Sequence, residues 1–214
     1  MVHIRSFIAI EVPAAVRGRL IQVRRDLSAS GADVRWTREE GLHCTLAFLG
    51  AVEEGRLEAV RHALEGSVSD FGEVALCARG LGVFPTPRRP KVVWAGLHDD
   101  GRGEGLAMLA PRVQRALEPL GFPREERPYH AHVTLGRMRS TTGWPALAAS
   151  MRAYETAAFG SWTADRLVVF RSDLGKGGSV YTPLWTIPLS ETSLSASPES
   201  GRDDDGSGNG NPTT

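Results

Sequence analysis

Cysteine is nearly absent from this chain: Cys44 and Cys77 are the two in 214 residues. Their separation matches no paired-cysteine metal motif and two thiols make no disulfide framework, so a reduced, cytoplasmic protein is the expectation. Long apolar runs are missing too. None approaches the roughly 20 residues of a membrane span, and the opening MVHIRSFIAIEVP has neither the apolar core nor the small-residue cleavage site of a secretory signal. Its alternation and closing Pro13 read instead as a first strand. Net charge is absent, with 25 Lys and Arg against 25 Asp and Glu, which excludes the strongly basic footprint of a duplex-binding protein. What is present is a globular composition, 41% hydrophobic and 23% charged. The length suits one large domain or two small lobes.

The zero balance hides an asymmetry. Residues 190–214 carry five acids (Glu191, Glu199, Asp203, Asp204, Asp205), one base (Arg202) and a single large apolar residue, Leu194. Such a segment cannot bury enough surface to offset its ordering entropy and is expected to be a disordered tail. The body, residues 1–189, keeps 24 basic and 20 acidic residues, a net +4. That permits an anionic ligand without demanding one.

Along the body, residues 4–10 read as a strand. Val16, Leu20, Val23 and Leu27 recur at helical spacing after Pro13. Residues 42–49 read as a strand ended by Gly50, and residues 53–66 as a second helix bearing Leu57, Val60 and Leu64. Two short strands are expected around 73–84, then FPTPRRP as a Pro-punctuated loop carrying Arg88 and Arg89, then the strand KVVWAGL. A third helix is expected over 103–119, with Pro111 inside its apolar stripe as a potential break. AHVTLGRM reads as a strand, residues 144–153 as a short helix, and DRLVVFRSDL–GKGG–SVYTPLWTIPL as a closing hairpin. Strands and helices interleave in two halves of similar order. The expected architecture is α+β: two lobes related by approximate two-fold symmetry, each giving one strand to a shared cleft.

The chemistry lies in a tetrapeptide written twice, HCTL at His43–Leu46 and HVTL at His132–Leu135. Side chains alternate along a strand. His43 and Thr45 therefore share one face while Cys44 and Leu46 share the other, and His132 and Thr134 are set likewise against Val133 and Leu135. One such triplet in a half-buried strand is ordinarily structural; two, each backed by apolar residues, point to chemistry. Two imidazoles and two hydroxyls across a cleft suit acid–base work on a small anionic group. One His would take a proton and the other give one, while the hydroxyls hold phosphate oxygens. Zinc fits less well, because no Cys or carboxylate completes a ligand set. Cys44 faces the core by alternation and is read as packing rather than as a nucleophile.

With RSFIAIEVP, VRWTREEGLHCTLAFLG, GVFPTPRRPKVVWAG, LGFPREERPYHAHVTLGR and SDLGKGGSVYTPL, the chain resembles the 2H phosphoesterase superfamily over roughly residues 4–189. Within it, the RNA 2′,3′-cyclic phosphodiesterases, or 2′-5′ RNA ligase-like proteins, are the nearer resemblance. The resemblance implies a bilobal α+β fold, two antiparallel sheets lining a central cleft and helices outside. It also implies hydrolysis of an RNA terminal 2′,3′-cyclic phosphate to a 2′-phosphomonoester without metal or cofactor. His43 maps onto the proton donor to the leaving 3′ oxygen and His132 onto the proton acceptor that activates water. Thr45 and Thr134 map onto phosphate-contacting positions. Ala131 stands where relatives often carry Pro, and Cys44 where they carry an aliphatic residue; neither change removes a reacting group. Two alternatives stay open: ligation of a cyclic-phosphate end to a 5′-hydroxyl, and a non-catalytic module that binds RNA ends or nucleotides. The expected partners are RNA 3′ ends or nucleotides carrying that phosphate, with no membrane, and the chain is expected to act as a monomer.

Arg137 lies at an odd offset from His132, so strict alternation turns it from the cleft; a bulge near Gly136 would bring it back to contact phosphate. Arg88, Arg89 and Lys91 form a short basic run that reads as solvated surface or as a rim for an RNA end. Tyr129 and Phe84 suit either base stacking or core packing. His130 shares the face of His132 as a rim residue, His3, His62 and His98 carry no motif, and GKGG reads as a hairpin turn rather than a phosphate cradle.

Overall fold

The computed structural model describes residues 2–100, 105–175 and 178–189. The expected tail, residues 190–214, lies outside them, as do Lys176 and Gly177 of the GKGG loop and the first two residues expected for the third helix, 103 and 104.

Nine strands and four α-helices among the described residues make an α+β fold. In chain order they are β1 (His3–Glu11), α1 (Ala14–Ser28), β2 (Val34–Trp36), β3 (His43–Glu53), α2 (Leu57–Val68), β4 (Val74–Thr86) and β5 (Arg89–Asp99). The second half of the chain adds α3 (Leu106–Leu117), β6 (His132–Met138), α4 (Trp144–Arg152), β7 (Ala158–Ala164), β8 (Arg166–Gly175) and β9 (Gly178–Pro188). Pro111 does not break α3. The expected pair of short strands near 73–84 is one long strand, β4, kinked at the positive-φ Gly80. It runs straight into β5 through a tight turn at Pro87 and Arg88, in place of the expected loop. β3 does not stop at Gly50 but continues through it to Glu53, because Gly50 adopts a positive φ at an irregularity in the ladder. β2 and β7 are additions to the expected elements; both are short, and β7 carries a positive-φ glycine, Gly160.

Every ladder among the described residues is antiparallel, and the strand order is β7-β4-β5-β6-β3-β1-β8-β9, with β2 on β6. The path divides into two four-strand halves that meet between β6 and β3. There the halves share a single residue pair, Cys44 with Val133. Each half presents its motif strand at this seam, so the two expected sheets are joined through the residues inside the two His-x-Thr triplets. α2 and α3 pack together, reaching β9 and β3; α1 and α4 pack together, reaching β7 and β4. Their apolar faces (Leu20 and Leu27 of α1, Val60 and Leu64 of α2, Leu109 and Val113 of α3, Leu147 of α4) enter one core with Ile8, Ile10, Cys44, Leu46, Val133 and Leu135. Burial of that apolar area is the main stabilising term. A second, smaller apolar cluster, Phe7, Ala9, Val168 and Phe170, lies apart from it on the opposite face of the sheet, where it backs His43. No helix among the described residues is long and apolar enough to cross a membrane.

Candidate active site

Alternation sorts both triplets as the sequence requires. Cys44, Leu46, Val133 and Leu135 are fully or almost fully buried, while His43, Thr45, His132 and Thr134 are half-buried on the other face. Because Cys44 pairs antiparallel with Val133, the flanking positions fall in opposed order, His43 toward Thr134 and Thr45 toward His132. The seam thus gathers two imidazoles and two hydroxyls into one patch.

Each imidazole has an aromatic setting. His43 stacks on Phe7 at 4.7 Å between centroids and meets the edge of Tyr181 at 5.1 Å, with Phe170 at 6.1 Å. His132 meets Phe84 edge-on at 4.9 Å, and behind them Trp94 packs on His130 at 4.7 Å. This burial penalises the charged imidazolium. It pushes His43 down to about 4, with the neighbouring His132 adding to the shift. His132 is also held below its ordinary value, first by desolvation and less by His130 and Arg137, against a hydrogen bond that favours its charged form.

That hydrogen bond sets the ring. Nδ1 of His132 lies 2.7 Å from the carbonyl oxygen of His130. A carbonyl can only accept, so Nδ1 carries the proton, and the neutral ring keeps its lone pair on Nε2. Neutral His132 is therefore a base at Nε2. The orienting group is a backbone carbonyl, which no side-chain motif could have announced.

Arg137 reaches the His132 face through a bulge. β6 pairs with β5 as His132–Gly96, Val133–Ala95 and Thr134–Trp94, then slips by one so that Gly136 meets Val93 and Arg137 meets Val92. Leu135 is the extra residue, one position before Gly136, and the side chains after it change faces. Arg137 is exposed on the face of His132 and near enough to it to disfavour its protonation. Gly136 turns inward, where a Cβ would meet Trp36 and Val34. Arg35 pairs directly with Arg137 and so projects from the same face. Its strand, β2, is not legible in the sequence, and Arg35 is missed with it.

The remaining candidates separate clearly. Tyr129 packs into the core margin. Its hydroxyl donates to the Thr45 carbonyl at 3.2 Å and lies 3.3 Å from the Cys44 sulfur, which leaves the thiol as donor. It ties the approach to the second motif onto the first motif strand and offers no face for a base. Burial pushes the Cys44 thiol up to about 11, as suits packing rather than nucleophilic work. Phe84 packs on Trp94, His130 and His132. Arg88, Arg89 and Lys91 are exposed around the β4–β5 turn. His62 stands in solvent beside Glu58, and His98 contacts the Arg79 carbonyl. Among the described residues no group of three His, Cys, Asp or Glu side chains could hold a metal ion.

The LigT-like phosphoesterase family model matches residues 10–94 and 98–181. The chain is 29% identical over 186 residues to an RNA 2′,3′-cyclic phosphodiesterase of Methanothermobacter thermautotrophicus, covering 87% of this chain and 99% of the relative. It is 32% identical over 170 residues to an Aeropyrum pernix protein of the same name, covering 79% and 94%. Among solved structures, E. coli LigT complexed with 3′-AMP superposes with a TM-score of 0.67 at 27% identity, over 87% of this chain and 98% of that one.

Proposed function

The chain belongs to the LigT-like phosphoesterase family, and on that premise we propose that it hydrolyses RNA terminal 2′,3′-cyclic phosphate to a 2′-phosphomonoester by a two-histidine, metal-independent mechanism. The observation that carries the reading is the seam pair Cys44–Val133, which sets the two His-x-Thr triplets side by side. The names of the relatives support the substrate class.

In the proposed reaction Nε2 of His132 takes a proton from water as the water oxygen bonds to phosphorus. The bond from phosphorus to the 3′ oxygen breaks, and His43 gives its proton to that oxygen. The products are a 2′-phosphate and a free 3′-hydroxyl. The Nδ1–His130 bond leaves His132 ready for the first step. His43, held low when the site is empty, gains affinity for its proton when an anionic phosphate lies beside it. The hydroxyls of Thr45 and Thr134 and the guanidinium of Arg137 hold the non-bridging oxygens, where charge builds in the transition state. An oligonucleotide ending in 2′,3′-cyclic phosphate should be converted to the 2′-phosphate. Unchanged substrate, or a 3′-phosphate product, would contradict the reading.

A further inference from the structure

We infer that the RNA strand leaves the phosphate site across the His43 half of the sheet, with its terminal base on the ring of Phe48 and the phosphate on that nucleoside's 5′ side held by Arg5. The inference rests on the cyclic-phosphate reading above and adds the substrate's direction and a subsite.

The first observation is a second bulge. β3 pairs with β1 as His43–Glu11, Cys44–Ile10 and Thr45–Ala9, then slips by one so that Ala47 meets Ile8 and Phe48 meets Phe7. Leu46 is the extra residue, just as Leu135 is in β6. Phe48 thereby changes faces and stands on the side of His43, its ring 6.1 Å from Phe7. It is 71% exposed, the one aromatic among the exposed large hydrophobic residues described. The other rings near the histidines spend their faces on each other and on the imidazoles.

The second observation is an asymmetry. Phe48 and Arg137 occupy the same place, five residues after the motif histidine and two after the bulge. The His132 half has a cation there, with Arg35 opposite; the His43 half has an open aromatic face. In the proposed reaction water enters beside His132, where charge alone is needed, and the ribose lies beside His43, where a base must be accommodated. The chemistry of the two positions matches that polarity.

The third observation lies further along the same face, beyond Phe48. Successive rows on one face of a strand are about 7 Å apart. The row of Thr45 and Ala9 gives way to that of Phe48 and Phe7, and then to Ala51 and Arg5. Arg5 is exposed and makes no ion pair among the described residues. Hydroxyl, aromatic ring and guanidinium thus succeed one another at intervals suited to phosphate, base and next phosphate, as in single-strand tracks that combine stacking with backbone charge.

The test uses the full chain, a 2′,3′-cyclic mononucleotide with a free 5′-hydroxyl, and an oligonucleotide with the same terminal base. Phe48→Ala should raise KM about ten-fold for both substrates with kcat within about two-fold, and Phe48→Trp should restore it. Arg5→Gln should raise KM several-fold for the oligonucleotide, flatten its salt dependence and leave the mononucleotide unaffected. Unaltered KM in Phe48→Ala, or equal effects of Arg5→Gln on both substrates, would overturn the inference. If the unaltered chain turned over neither substrate, the enzymatic reading would fall instead. Anisotropy of a labelled 2′-phosphate oligonucleotide would then test the track alone, which fails if both variants bind as the unaltered chain does.

Discussion

Leu46 and Leu135 hold equivalent places in their strands: each is the residue left unpaired where the ladder slips by one, directly after a His-x-Thr triplet. Both are buried. Each slip lets a strand keep its fourth motif residue in the core and still return its sixth to the face of the histidine. The fourth residue thus works as a parity switch, which explains why each triplet of alternating residues is followed by a leucine. Truncating Leu135 to Ala should cost about 2–5 kcal/mol of stability, the range for a buried Leu, measured by denaturant unfolding. A cost below about 0.5 kcal/mol, the size of an ordinary surface substitution, would mean that the bulge residue is not anchored by packing.

Arg137 owes its position to that switch. Arg137→Ala should lower kcat/KM on a cyclic-phosphate substrate by about 10²–10³-fold, as for loss of one donor to a transition-state anion. Arg137→Lys should recover only part, because an ammonium lacks the planar fork. Activity within two-fold in Arg137→Ala would remove the residue from the site.

The histidines set the pH dependence. With His43 lowered to about 4 and His132 lowered from 6.5, both are neutral in the empty site at pH 7. The proposed reactive form carries one proton, on His43, so kcat/KM should be highest in a window that opens near pH 4 and closes below 6.5, and fall as pH rises through the lowered value of His132. Folding follows the opposite limb. An unfolded His43 binds a proton near 6.5 while the folded one resists it, so the stability it contributes is full above pH 6.5 and is lost as pH falls toward 4. A kcat/KM limb centred near pH 8, or a His43 imidazole titrating by NMR near 6.5, would contradict this.

Cys44 and Tyr129 give a test apart from catalysis. The native thiol of Cys44 should resist alkylation while the half-buried Cys77 reacts first, because burial holds Cys44 up to about 11. Tyr129→Phe removes the donor to the Thr45 carbonyl and the acceptor of the thiol, and should cost about 1–3 kcal/mol. Mass spectrometry of the alkylated native protein and a urea melt check both outcomes.

Alternation alone assigns His43, Thr45, His132 and Thr134 to one face and Cys44 and Val133 to the core, because period two is written directly in residue type. The apolar stripes of α1, α2 and α3 are legible for the same reason. A bulge has no such signature. Leu135 looks like any strand leucine, so the side on which Arg137 falls can be posed as a question but not decided, and nothing marks Phe48. Gly50 reads as a strand end because glycine occurs at both turns and bulges. Arg35 goes unseen with its three-residue strand, too short to show a period. The His130 carbonyl that orients His132 is backbone, and no residue type encodes it.

The paired histidines are the centre of the account, and single and double alanine variants of His43 and His132 measure them most directly. On an oligonucleotide ending in 2′,3′-cyclic phosphate, assayed with chelator present, each single variant should lose about 10²–10⁴ in kcat. The double variant should lose little more than the worse single one, because in the proposed mechanism the two groups act in one step, with folded circular dichroism throughout. Full turnover by the folded double variant, or activity that chelator abolishes in the unaltered protein, would contradict the account.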